Sequence, residues 1–145
     1  MKIINKKARF RYQLFDRFEA GIVLTGAEVK SIRQGKLSLG EAYVRLHENE
    51  IWLVNANISP YQFADNRNYD PTRTRKLLLK RREITSLVHK QESKNLIMVP
   101  TAIFTHGKRI KLEIALAKPK KLWQKKEAIK RKDLDREAER EVKNF

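Results

Sequence analysis

AYVRLHENEIWLVNANI, residues 42–58, decides the fold of this chain. Val44 and Leu46 alternate with Tyr43 and Arg45, His47–Glu50 form a turn, and Ile51 to Ile58 return as a second strand that Pro60 ends. An alternating hairpin in mid-chain points to an antiparallel sheet. The flanks agree. Upstream, residues 1–9 read as a short basic arm, and Tyr12–Phe18 and Glu19–Leu24 read as two strands meeting near Asp16–Arg17. Between them and the hairpin lies LTGAEVKSIRQG (24–35), a short helix with Thr25 as N-cap, Glu28 completing a capping box and Gly35 as the C-terminal stop. Its Val29 and Ile32 face inward, with Lys30 and Arg33 together on the other side.

Downstream, the polar stretch from Tyr61 to Lys76 is long for a loop in a compact domain. LLLKRREITSLVHKQES (77–93) reads mostly as helix, with Leu79, Ile84, Leu87 and Val88 on its apolar side. Two strands follow, Asn95–Thr105 and Lys108–Ala117, joined at His106–Gly107. That makes six strands and two helices.

Charge indicates the partner. The 145 residues carry a formal net charge of +16. Residues 118–145 hold eleven basic and six acidic side chains, and the preceding body holds twenty-two and eleven. An excess of cations on both parts points to a polyanion, and nucleic acid fits better than a membrane because the basic stretches lack a continuous apolar face. The expected fold class is therefore mainly β with flanking α-helices: a small closed antiparallel barrel of the oligonucleotide-binding type, with an open sandwich as the alternative. Residues 1–117 form the barrel domain with two helices, and 118–145 form a basic tail. The apolar residues of that tail (Leu122, Trp123, Ile129, Leu134, Val142) are too sparse to offset the entropy of ordering it, so it is expected to be disordered when free.

Catalysis finds little support. His47, His89 and His106 have no ligand spacing, and no cysteine is present to complete a zinc set or a disulfide. Glu19, Glu28 and Glu41 come with no nucleophile motif, and five glycines give no phosphate cradle. The expectation is a non-enzyme without metal or cofactor. With no signal segment and no apolar run long enough to span a bilayer, it is expected to be cytoplasmic. The cationic cluster in DPTRTRKLLLKRRE (70–83), above all Arg73, Arg75 and Lys76, suits phosphate and exposed bases.

GAEVKSIRQGK, ANISPY, DPTRTRKLLLKRREI and the KPKK…IK…RE tail resemble the family of SsrA-binding proteins, also called small protein B, over nearly the whole chain and in order. The resemblance implies an oligonucleotide-binding-type barrel that binds the tRNA-like domain of transfer-messenger RNA and delivers it to stalled ribosomes for trans-translation. It also implies elongation factor Tu as a partner through that RNA. It puts Asn5, Glu19 and Leu78 at the RNA face, joined by the basic residues Lys6, Lys7, Lys30, Arg33, Arg73, Arg75 and Lys76. The family tail enters the decoding centre and vacant messenger channel as a helix. Here that assigns Lys120, Lys121, Trp123, Lys125, Lys126, Lys130, Arg131 and Arg136 to the ribosome. The chain departs from the family at Pro119, where a glycine is usual, and at Gln124–Lys125–Lys126, where Asp-Lys-Arg is usual. The alternatives are a ribosomal-RNA-binding component or assembly factor and, from another class, an RNA-processing nuclease.

Overall fold

A computed structural model describes residues 1–120. In chain order its elements are β1 (Lys2–Ile4), α1 (Lys6–Arg11), β2 (Tyr12–Ile22), α2 (Gly26–Arg33), β3 (Leu37–Ser38), β4 (Tyr43–His47), β5 (Glu50–Val54), β6 (Asn57–Ile58), β7 (Arg75–Leu78), α3 (Arg81–Lys94), β8 (Ile97–His106) and β9 (Arg109–Pro119).

The β4–β5 hairpin is tighter than expected. His47 pairs with Glu50, so only Glu48 and Asn49 turn, both at positive φ (52° and 63°) as a two-residue hairpin of matching twist requires. The return strand stops at Val54. Asn55 is left-handed (φ 64°), and the chain crosses to a separate two-stranded sheet in which β6 pairs with β3. Helix α2 is as expected: the Thr25 hydroxyl accepts from the Glu28 N–H and the Glu28 carboxylate accepts from the Thr25 N–H. Gly35 takes the left-handed position (φ 74°) that lets the Lys36 N–H reach back to the Ser31 carbonyl, a closing bond that a side chain there would strain.

Three local expectations are corrected. The basic arm carries a strand and a helix: β1 pairs with β8, and Asn5 caps α1 so that Ala8 packs on Val99, Ala115 and Ala117. β2 is one strand, not two. Asp16–Arg17 is a bulge between registered stretches with β9, and Asp16 bonds Lys90 of α3 at 2.9 Å. Leu77 and Leu78 are strand rather than helix, because β7 lies between β2 and β5 with Leu77 wholly buried; the helix begins only after Lys80. A short apolar run is ambiguous between the two states, and tertiary pairing decided it.

The main sheet has seven strands in the order β1-β8-β9-β2-β7-β5-β4. The expected closed barrel is therefore corrected: the sheet is strongly folded around its core but does not close by backbone hydrogen bonds. β4 lies beside β8, yet the outer edge of β8 is already taken. Ala102–Phe104 pair with β1, the Thr101 carbonyl accepts from the Asn5 N–H, the Pro100 carbonyl accepts from the Asn5 amide, and Pro100 has no N–H to offer. The core inside the fold is formed by Ile51, Leu53, Leu77, Leu87, Ile103, Leu112, Ile114 and Leu116, with Ile32 of α2 and Ile84 of α3 packed against it. β9 runs two residues past the expected end at Ala117.

Candidate nucleic-acid interface

Because side chains alternate across a strand, residues paired in register share a face. One row of the outer face crosses five strands: Lys2 (β1) opposes Phe104 (β8), which opposes Lys111 (β9), then Gly21 (β2), then Leu78 (β7). The next row holds Ile4, Ala102, Glu113 and Glu19, in the same strand order as far as β2. On the far side of Leu78, Lys76 opposes Trp52, which opposes Arg45. Cations thus alternate with flat or apolar side chains.

Gly21 gives this row its shape. A Cβ there would lie 3.2 Å from the Leu78 Cβ, so the missing side chain lets Leu78 approach β2 closely while remaining 53% exposed. Arg109, Lys111, Val29 and Leu24 line the groove beside it. Glu19 and Glu113 are directly opposed carboxylates. Arg17 neutralises Glu113 at 3.0 Å, whereas Glu19 makes no ion pair among the described residues. A carboxylate placed there can accept from donors such as base amino groups or sugar hydroxyls.

Lys76, Leu78 and Glu19 share this sheet face. Arg33 donates to the Lys108 carbonyl at 3.0 Å and so brings α2 to its edge beside Arg109. Lys30 instead sits over the Tyr61 ring, 5.4 Å from its centroid. Lys6 is exposed on α1, and Lys7 pairs with Glu41 at 3.1 Å. Lys120 is tied to the end of α1, its N–H donating to the Arg11 carbonyl and its Nζ to the Arg9 carbonyl, both at 2.9 Å. Lys121, Trp123, Lys125, Lys126, Lys130, Arg131 and Arg136 lie outside the described residues.

Two expected contact residues are turned inward. Asn5 is buried, its amide donating to the Leu39 and Pro100 carbonyls (3.1 and 2.8 Å) while its oxygen accepts from the Ala8 N–H. Arg75 is wholly buried. Its guanidinium donates to Glu28 through Nε and Nη2 (2.7 and 2.5 Å), and to the Ala56, Arg73 and Pro71 carbonyls and the Tyr69 hydroxyl. Every donor of the fork is used, so Arg75 organises the loop and offers nothing to phosphate. Arg73, part-exposed, also bonds Glu28, at 2.5 Å. Glu28 is thus both a helix cap and the hub that fastens the Tyr61–Thr74 loop to α2; the capping pattern was readable, the hub was not.

Burial alone would raise the Glu28 pKa, but the Thr25 N–H and then Arg73 and Arg75 outweigh it and hold the carboxyl below the ordinary glutamate range. The sign follows. A depressed folded-state pKa contributes stability that is complete above the unfolded-state value and is lost as pH falls through the folded-state value. The urea midpoint should therefore fall with acidification below about pH 4.5. Exposed Asp16 and Glu41, also lowered by their lysine partners, add to that limb. Glu28→Gln should flatten it, and an unchanged acid limb would refute the hub's part in it.

The sequence reading missed Lys2, Phe104, Arg109 and Lys111. The alternation in RIKLEI (109–114) held a signal, since Arg109, Lys111 and Glu113 fall on one side and buried Ile110, Leu112 and Ile114 on the other. Among the described residues no cluster of His, Asp and Glu could hold a metal ion, and no helix is long and apolar enough to cross a membrane.

Known proteins share this sequence and fold. The sequence profile of the SmpB protein family matches residues 2–144. The SsrA-binding protein of Oleidesulfovibrio alaskensis is 48% identical over 138 residues, covering 95% of this chain and 89% of that protein. The SsrA-binding protein of Koribacter versatilis is 47% identical over 135 residues, covering 93% and 77%. A solved chain described as "tmRNA-SmpB: a journey to the center of the bacterial ribosome" matches with a TM-score of 0.71 at 38% identity, covering 88% of this chain and 94% of that one.

Proposed function

The chain belongs to the SmpB protein family, and on that premise we propose that it binds transfer-messenger RNA and brings it to stalled ribosomes for trans-translation. The observation that carries this reading is the row Lys2–Phe104–Lys111–Gly21–Leu78 with Glu19 beside it. Lysines at this face neutralise phosphates, Leu78 and Phe104 cover sugar and base surface, and Glu19 accepts from donors on the RNA. The body, residues 1–117, grips the tRNA-like domain of the RNA. The tail beyond Lys120 reaches into the ribosome's decoding centre and messenger channel, which messenger RNA would otherwise fill. Elongation factor Tu joins through the RNA. Nothing in this arrangement calls for bond-making chemistry, and the protein works as a cytoplasmic binding factor.

Salt dependence separates the two kinds of contact. Lys76→Ala should weaken binding to the tRNA-like domain and reduce the slope of log affinity against log salt by about one, since one phosphate keeps its counterion. Leu78→Ala should weaken binding roughly tenfold with the slope unchanged, because a buried leucine side chain releases no ions. Titrations at four salt concentrations test this. Equal slope changes in both variants would remove Leu78 from the interface as an apolar contact.

A further inference from the structure

Phe63 is 76% exposed, more than any other large hydrophobic side chain among the described residues. Its loop is not slack. The Ala64 N–H and the Asn66 amide both donate to the Tyr61 carbonyl (3.1 and 2.8 Å), and the Tyr69 N–H donates to the Asn66 carbonyl (3.2 Å). The Tyr69 hydroxyl donates to the Ile58 carbonyl at 2.8 Å, and Tyr69 joins the Glu28–Arg75 hub. An aromatic ring held outward on a fastened loop loses little freedom when something binds it.

Its surroundings restrict what that something is. Phe63 meets Tyr61 edge to face, with centroids 5.5 Å apart and planes at 72°, and the Lys30 ammonium lies over the Tyr61 ring. Around the ring the chain is polar: Gln62, Asp65, Asn66, Arg67 and Asn68. The ring stands alone rather than within a contiguous apolar patch of the kind that marks a protein-docking surface. One flat ring among amides, with Arg67 paired to Asp65 at 2.8 Å and Lys30 over Tyr61, on a body with twenty-two basic residues, has the makeup of a base-stacking platform. The loop runs between β6 and β7 and pairs in register with none of the strands in the row that carries Leu78.

We propose that Phe63, backed by Tyr61 and Lys30, stacks on an unpaired base of bound RNA as a second contact apart from the sheet face, an inference that rests on the RNA-binding reading above. The base belongs either to transfer-messenger RNA or to ribosomal RNA, and the chemistry is the same for both.

The test uses the full chain with Phe63→Ala, Phe63→Leu and Phe63→Trp, each compared with Leu78→Ala. One arm measures affinity for isolated transfer-messenger RNA; the other measures binding of the preformed complex to ribosomes stalled on a truncated message. The alanine and leucine variants should each weaken one arm about tenfold, while the tryptophan variant stays near wild type and the salt slope holds. Loss in the first arm assigns the base to transfer-messenger RNA, and loss in the second alone assigns it to the ribosome. In the affected arm, probing of sugar 2′-hydroxyls should show one unpaired nucleotide becoming reactive only in the alanine and leucine variants. The proposal is overturned if Phe63→Ala leaves both arms unchanged. It is equally overturned if Phe63→Leu behaves as wild type while Phe63→Ala does not, which would mark an apolar contact with protein. Should Phe63→Ala have no effect while Leu78→Ala weakens the first arm, stacking fails and the RNA-binding reading stands. Should Phe63→Ala leave both arms unchanged and Leu78→Ala leave the first unchanged, both fail.

Discussion

Glu28→Gln should destabilise the body by about 3–5 kcal/mol, the usual cost of removing one member of a buried ion pair. The reason is what remains. Arg75 keeps its charge at any accessible pH and is wholly buried, and the neutral amide can accept from it but cannot balance it. For a domain of this size the loss corresponds to a fall in melting temperature of about 10–20 °C. Arg75→Lys should cost about 2–3 kcal/mol even though charge is kept, because an ammonium's three donors cannot reproduce the fork that joins Glu28 to the Ala56, Arg73 and Pro71 carbonyls. Arg73→Ala should cost less than about 1 kcal/mol, as that side chain is 39% exposed. Thermal and urea unfolding would rank the three variants. A Glu28→Gln protein as stable as wild type would mean that the hub is held together by packing alone.

Ending the chain after Lys120 should leave affinity for the tRNA-like domain within about threefold and reduce peptide tagging on stalled ribosomes to background. The shortened chain keeps twenty-four of the thirty-three basic residues and the whole Lys2–Leu78 row, so the counterion-release contribution to binding survives. Cutting after Lys120 rather than earlier also retains its two bonds to the end of α1. Loss of RNA binding on truncation would contradict the division between a gripping body and a probing tail. Tagging at wild-type rate would leave the tail without the role proposed for it.

Elements with a local cause could be read before the structure. The capping box at Thr25–Glu28, the left-handed stop at Gly35 and the alternation through Val44–Leu53 each act over a few residues, and each stands where expected. The failures share a different character. KLLL looks helical until β2 and β5 bind it from either side, and Asp16–Arg17 looks like a turn until β9 continues past it. Closure failed because Asn5 and β1 occupy the edge of β8 from about a hundred residues away in sequence. The candidate face shows the same limit. Lys76 and Leu78 could be found by motif, but Lys2, Phe104 and Lys111 join them only through register. Arg75 reads as a surface cation unless one knows that Glu28 waits beneath it.

The position of β9 has a kinetic meaning. It is the last strand of the described chain, yet it lies between β8 and β2, joining the β1–β8 side of the sheet to the β2–β7–β5–β4 side. Until Ile110–Ala117 are present, Ala20 and Ile103 lack Leu112, which pairs in register with both, and β2 is left with an open edge. Most stabilising contacts then close large loops late, the pattern associated with slow, concerted folding. A polypeptide released before residue 109 would lack the strand that unites the sheet, so its synthesis yields either the whole domain or an unpaired edge exposed to aggregation.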